Sequence, residues 1–260
     1  MNNGVTLDDL VDNAFHLIDQ GYYNACPRRV PRERRSSFEE ALASHPTFPM
    51  IAEVKLSTPV DGRISSASPS HLVSSYLAGG AAALSVLTEP TRFAGDLRHL
   101  LACEDADVPV LMKDFVVDER QVRTASRFKA DAVLLIQEIF SDRPELDRDG
   151  LIELAHFLGL QVVLEAHSET EMRSAMESEA DLLGINQRDL RTMRVDQGTG
   201  LRLLPLATTS GRPVIVMSGI SDREEVVRLR SAGANAVLMG KCLSGGSDPT
   251  AALRAMEVER

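Results

Sequence analysis

From Pro49 onward, short apolar runs alternate with longer stretches in which apolar residues recur at helical spacing. The runs are PMIAEVKL, AAALSVLTE, VPVLMKDF, ADAVLLIQE, LQVVLEAH, ADLLGIN, RPVIVMSG and ANAVLMG, eight in all. They are nearly unbroken in Val, Ile, Leu and Ala, as strands buried on both faces of a parallel sheet are. Between them, SHLVSSYLAGG, ERQVRTASRFK, GLIELAHFLG, ETEMRSAMES, DREEVVRLRSAG and PTAALRAMEV read as helices. Several stop at a glycine just before the next strand, as at Phe157-Leu158-Gly159 and Ala232-Gly233. Strands alternating with helices imply parallel pairing through right-handed crossovers. Eight such units in roughly 210 residues predict an α/β fold, a closed (β/α)8 TIM barrel over residues 49–260. An open doubly wound sheet fits less well, since no GxGxxG follows the first strand.

Residues 1–48 depart from this rhythm. Leu7, Leu10, Val11, Phe15, Leu17 and Ile18 predict one amphipathic helix ending near Gly21, and FEEALAS predicts a second, short one. Between them lies CPRRVPRERRSS, punctuated by Pro27 and Pro31. Its arginines, Arg28, Arg29, Arg32, Arg34 and Arg35, read either as a solvated linker or as an arm beside an anionic ligand. The segment is expected to be a helical extension of the barrel, within a single structural domain.

Each apolar run turns polar at its carboxyl end, where a (β/α)8 barrel keeps its chemistry. The ends carry Glu53 and Lys55; Thr88 and Glu89; Lys113 and Asp114; Gln137 and Glu138; Glu165 and His167; Asn186 and Arg188; Ser218; and Gly240. In the first, IAEVKLSTP, side chains alternate, so Glu53 and Lys55 share one side while Ala52 and Val54 take the other. A lone strand-end charge is ordinarily a solvated rim residue. Two lysines and several carboxylates converging on one mouth point instead to acid–base chemistry.

The formal charge is −10, from 28 Lys+Arg against 38 Asp+Glu, which disfavours nucleic acid and anionic membranes as partners. An anionic small molecule then needs a local positive site. MSGISDREE and AVLMGKCLSGGSDP place Ser218-Gly219 and Gly240 after strands 7 and 8, where such barrels hold phosphate on backbone N–H groups and a helix N-terminus. The plain alternative is that these glycines only permit tight turns. Ser221-Asp222 reads as the cap of the following helix. Cys26, Cys103 and Cys242 lie far apart with no CxxC pair, so neither a disulfide framework nor a metal site is expected. The start MNNGVTLDDLVDNAF has no signal-peptide core, and no window approaches the ~20 apolar residues of a membrane helix. A soluble, cytoplasmic protein is expected; no sustained heptad speaks to its oligomeric state, and a monomer is compatible with the sequence.

Taken in order, IAEVK, SVLTEP-x-x-F-x-G, PVLMKDFVVDE-x-Q, ADAVLLI, LEAH, GIN-x-RDL, SGI and AVLMG resemble the motifs of the indole-3-glycerol-phosphate synthase family over about residues 49–245. KDFVVDE-x-Q together with IAEVK and N-x-RDL is the most specific part. Barrels such as phosphoribosylanthranilate isomerase share the phosphate loops but not KDF. The resemblance implies a carbon–carbon lyase (a carboxy-lyase) of tryptophan biosynthesis that needs no cofactor. It would convert 1-(2-carboxyphenylamino)-1-deoxyribulose 5-phosphate to indole-3-glycerol phosphate with loss of carbon dioxide and water. Lys113 would be the general acid for ring closure, and Glu165 the base or acid of the later dehydration. Lys55 would hold the substrate carboxylate or share in proton delivery, oriented by Glu53. Asn186, Ser218 and Arg188 would contact substrate. Gly219, Gly240 and the amide of Lys241 would cradle the phosphate, and Phe93 and Phe115 would flank the aromatic ring. The family resemblance also implies that the N-terminal arm covers the barrel mouth.

Two departures from the family pattern stand out. The loop after strand 1 usually runs EVK-R-x-SPSKG; here Leu56 and Asp61 replace basic residues, and Thr58 and Val60 stand where serines are common. Strand 7 usually ends ESGI; here Met217 replaces the glutamate. These motivate two competing readings: a phosphate-binding barrel of altered sugar-phosphate specificity, or a catalytically weakened binding or scaffold subunit.

Overall fold

The computed structural model describes residues 5–27 and 36–260. The five arginines of the basic run lie outside the described residues, and with them the choice between linker and ligand arm. Eight strands follow one another round a closed barrel: β1 (Met50–Val54), β2 (Ala83–Leu87), β3 (Val110–Lys113), β4 (Ala132–Ile136), β5 (Gln161–Ala166), β6 (Leu182–Asn186), β7 (Val214–Met217) and β8 (Ala236–Met239). All neighbours pair in parallel, and β1 closes the ring on β8 through Met50↔Val237, Ile51↔Leu238 and Ala52↔Met239. Every one of the eight apolar runs is therefore a barrel strand. Their Val, Leu, Ile and Ala residues are buried because side chains fill the inside and helices cover the outside.

The helices are α1 (Leu7–Asp19), α2 (Phe38–Ser44), α3 (Pro69–Gly79), α4 (Glu119–Arg127), α5 (Gln137–Asp142), α6 (Arg148–Phe157), α7 (Glu169–Met176), α8 (Gly198–Ala207), α9 (Arg223–Ser231), α10 (Lys241–Ser244) and α11 (Pro249–Ala255). Side-chain caps fix several starts: Thr6 with Asp9 on α1, Ser37 with Glu40 on α2, Asp118 with Gln121 on α4, and Asp222 on α9. Gly159 and Gly233, at φ 75° and 103°, stop α6 and α9 in the left-handed conformation that the glycine stops predict.

Three elements differ from the pattern predicted above. The crossover from β2 to β3 holds a 3-10 segment, Leu97–Cys103, in place of an α-helix. Helix α8 has no helical signature in the sequence, because Gly198, Gly200 and Pro205 break it; Pro205 is inside the helix all the same. Gln137 and Glu138 do not end β4 but open α5, since Ile136 already acts as that helix's N-cap residue.

The two helices of the N-terminal segment go to opposite ends of the barrel. Helix α1 buries Leu7, Leu10, Val11, Ala14, Leu17 and Ile18. Its Leu10 lines a cavity at the carboxyl ends of the strands, and its Asn13 side chain donates to Glu89 at 2.9 Å. Helix α2 lies at the amino ends. The Phe38 amide donates at 2.6 Å to the side chain of Gln161, the first residue of β5, and the Phe38 ring is wholly buried. Among the described residues no helix is long and apolar enough to cross a membrane. Phe38→Ala is expected to cost about 3–5 kcal/mol by leaving a cavity at the amino ends. Urea unfolding should show this loss, while KM, set at the other end, should stay unchanged.

Candidate active site

Glu53 is the penultimate residue of β1 and Lys55 the first residue past its end, and both side chains line the cavity, as their spacing predicts. Their ends form an ion pair, with Glu53 almost fully buried and Lys55 one-fifth exposed. Gly240, which opens α10 after β8, makes room for this pair. A Cβ there would stand 2.3 Å from Glu53 Oε2 and 3.1 Å from Lys55 Cε. The Lys55 stem therefore lies against the glycine turn of β8.

Across the mouth, Lys113 at the end of β3 places its Nζ 3.7 Å from Glu165 Oε2 on β5. That is an ion contact, too long for a hydrogen bond. The other Glu165 oxygen accepts from Asn186 Nδ2 at 2.6 Å. Asn186 is held in turn: its Oδ1 accepts from the Arg188 amide at 2.9 Å, and its carbonyl meets His167 Nδ1 at 2.7 Å. Glu165 Oε2 is buried and has no hydrogen-bond partner. Leaving such an acceptor unsatisfied costs roughly 1–3 kcal/mol, a cost that buried groups with a chemical role often carry.

Two adjoining spaces open at this end of the barrel. One, of about 690 Å³ including its open mouth, is walled by Leu10, Leu87, Phe93, Phe115, Leu190 and Met193. The other, about 1,610 Å³ and more open, is walled by Gly219, Gly240, Lys241 and their neighbours. Glu53, Lys55, Thr58, Lys113, Arg188 and Ser218 line both. The site is thus one cavity with an apolar, aromatic end and a glycine-rich end, and the ionisable groups stand along the seam.

Phe93 and Phe115 touch each other, with centroids 5.9 Å apart and planes tilted by 33°. The two rings together form one aromatic wall of the cavity. At the glycine end, Ser218 and Gly219 are consecutive residues in the left-handed region, φ 69° and 77°. The serine is the strained member, and such strain collects at functional sites. Their carbonyls accept from Gln187 Nε2 and Gln197 Nε2, both of which also bond Glu225 behind the loop. A Cβ at Gly219 would meet Val195 Cγ1 at 2.2 Å, so only glycine fits.

Three of the polar residues expected at strand ends do other work. Glu89 accepts from the amides of Thr91, Arg92 and Phe93 and from Asn13, and so shapes the loop after β2. Glu138 pairs with Arg191 on the loop after β6, and burial raises its carboxyl above the usual range. His167 supports Asn186 from behind.

The divergent loop after β1 has its own fastening. Ser57 and Thr58 ladder antiparallel with Arg63 and Gly62. At the tip, Asp61 accepts from Lys241 Nζ at 2.7 Å and from the Thr58 hydroxyl at 3.0 Å. These bonds hold the Asp61 carboxyl below its ordinary range. The Lys241 side chain is therefore engaged by the loop, leaving its backbone to the glycine end. Met217 packs its methyl over Gly184, where a Cβ would stand 2.8 Å away; Gly184 is the register partner of Glu165.

Asp114, next to Lys113 just past the end of β3, has an environment of its own. Burial pushes its carboxyl up to about 6, against the opposing pull of hydrogen bonds from Thr88, Phe115 and Tyr23. A carboxyl that binds its proton more tightly when folded stabilises the fold most in acid, and that contribution falls as pH rises from about 4 to about 6. Relative to Asp114→Asn, the wild type should therefore lose about 2 kcal/mol between about pH 4.5 and about pH 7. Urea midpoints of both proteins at the two pH values check this, and a constant difference would contradict it.

A closed (β/α)8 barrel whose carboxyl ends gather ammonium–carboxylate contacts and glycine turns around one cavity defines a barrel enzyme of the acid–base kind. Known proteins narrow the class. The family model for indole-3-glycerol phosphate synthase matches residues 22–256, and the chain belongs to that family. It is 41% identical over 206 residues to the indole-3-glycerol phosphate synthase of Laribacter hongkongensis, covering 78% of this chain and 77% of that one. It is also 41% identical over 223 residues to the protein of that name from a Parafrankia species, covering 85% and 81%. A solved thiamine phosphate pyrophosphorylase from Pyrococcus furiosus shares the fold alone, with a TM-score of 0.60 at 16% identity over 82% of this chain and 95% of that one.

Proposed function

We propose that this chain closes the indole ring of indole-3-glycerol phosphate from 1-(2-carboxyphenylamino)-1-deoxyribulose 5-phosphate, releasing carbon dioxide and water. The observation that carries the reading is the two-ended cavity. The substrate has a carboxylated aromatic ring at one end and a phosphate at the other, and its reacting carbons lie between. The Phe93–Phe115 wall suits the ring, and the Gly219 and Gly240 turns with the Lys241 amide suit the phosphate. Lys113, Glu165 and Lys55 then stand where bonds change.

In the first step the ring carbon bearing the carboxylate attacks the ketone carbon, and the Lys113 ammonium gives its proton to the ketone oxygen. The carbon–carboxylate bond then breaks, carbon dioxide leaves, and its electron pair restores the aromatic ring. In the second step the new hydroxyl leaves as water and the adjacent carbon loses a proton, which closes the indole double bond. Glu165 suits this step, because Asn186 fixes one of its oxygens and the other is unbonded. Lys55 lies at the seam against Gly240, where it can serve either anionic end. Arg188 lines both spaces as a further cationic contact, and burial lowers its proton affinity. Within the N-terminal segment, expected to cover the mouth as a whole, we read only α1 in that role, since Leu10 lines the cavity whereas α2 packs at the amino ends. The proposed reaction on a small anion is that of a cytoplasmic enzyme; among the described residues no helix is long and apolar enough to cross a membrane.

Altered specificity is the second reading because of Met217, whose methyl lies over Gly184, the register partner of Glu165, where the family usually has a carboxylate. Mixing the protein with the proposed substrate and following indole fluorescence separates the readings. Tight binding without product would mark a scaffold, and neither binding nor product a different substrate. Lys113→Ala should lower kcat by roughly 10²–10⁴-fold while substrate still binds, the usual contribution of a positioned acid. Near-normal turnover in that variant would remove Lys113 from the role.

A further inference from the structure

We propose that Tyr23, in the N-terminal segment, is a positioning residue for Lys113 and acts through Asp114; this rests on reading Lys113 as the general acid. Tyr23 sits in the 3-10 turn Tyr22–Asn24 that follows α1, 91 residues before Asp114 in the chain. Its side chain is fully buried, and its hydroxyl donates to Asp114 Oδ2 at 3.0 Å. The Thr88 hydroxyl donates to the same oxygen, and the Phe115 amide donates to Oδ1 at 2.8 Å. The carboxylate beside the proposed acid is thus held at both oxygens by three donors from three different segments.

The backbone around it is fastened as well. The Thr88 amide donates to the Lys113 carbonyl at 3.1 Å, and the Tyr22 hydroxyl donates to the Thr88 carbonyl at 2.9 Å. The Tyr23 carbonyl accepts from the Thr124 hydroxyl at 2.6 Å and from Arg127 at 2.9 Å, which anchors the turn to α4. The rings of Tyr22 and Tyr23 meet edge to face, 5.0 Å apart at 81°, so the two grips move together.

The geometric consequence follows from adjacency in the chain. Asp114 is the residue just past the end of β3, so clamping its carboxylate fixes the backbone from which Lys113 enters the cavity. Lysine has a long flexible stem, and its ammonium must stay near Glu165 without closing the 3.7 Å gap. Misplacing a reacting group by about 1 Å can cost up to about 10²-fold in rate. A buried tyrosine needs some partner for its hydroxyl; here the partner is the residue that aims the acid.

Tyr23→Phe keeps the ring and removes only the hydroxyl. Its kcat should fall roughly tenfold with KM changed less than about twofold. The loss should vanish in a Lys113→Ala background, compared in single-turnover reactions with enzyme in excess. Asp114→Asn should reproduce the Tyr23→Phe loss, and the double variant should be no worse than Asp114→Asn alone. Should Asp114→Asn fail to fold, the Tyr23–Lys113 comparison decides alone. An unchanged kcat in Tyr23→Phe overturns the proposal. So does a loss of equal size in both backgrounds, or one shared by KM and melting temperature, which marks general loosening. Near-normal turnover of Lys113→Ala itself is a separate result: it removes the acid from the mechanism and this proposal with it.

Discussion

The site depends on an ammonium and a carboxylate that are kept close without being spent on each other. Lys113 and Glu165 stand 3.7 Å apart, near enough to share a field and too far to form a hydrogen bond. A tight pair would neutralise both groups and close the space a substrate must enter. Asn186 takes one carboxylate oxygen and leaves the other open. Glu53 and Lys55 show the alternative arrangement: they are in direct contact, and Gly240 accommodates them. The charged strand that opens the barrel is therefore an ion pair and a cavity wall at once.

Barrel closure makes this spacing possible. Lys113 ends β3 and Glu165 lies on β5, with the single strand β4 between them in the ring. The glycine turns after β7 and β8 then face the aromatic wall across the seam of charged residues. The N-terminal segment adds grip from outside through Leu10, Asn13, Tyr22 and Tyr23, each touching the cavity or a loop that shapes it.

The eight strands could be read from the chain because buried parallel strands write themselves as unbroken apolar runs. The lysines and carboxylates could be read because they break those runs at one end. Less was legible where the signal is local and ambiguous. Gln137 and Glu138 looked like a strand end, yet they begin a helix at once, since no turn residue separates the two elements. Helix α8 hid behind Gly198, Gly200 and Pro205. The contact of Phe93 with Phe115 and the bond from Tyr23 to Asp114 join residues far apart in sequence, and no spacing rule announces them. The loop substitution at Asp61 looked like a loss of positive charge; in the fold it is a gain of a partner, Lys241. That pair is largely exposed and worth at most about 1 kcal/mol, so it shapes the loop more than it stabilises the protein.

Dividing the proton work between Lys113 and Glu165 is the centre of this account, and Glu165→Gln separates the two steps. Carbon dioxide release and indole appearance can be followed in the same single-turnover reaction. Ring closure and decarboxylation should continue on Lys113 while dehydration stalls, so carbon dioxide should appear well before indole and exceed it. Equal and simultaneous release of both, at any rate, would contradict the division.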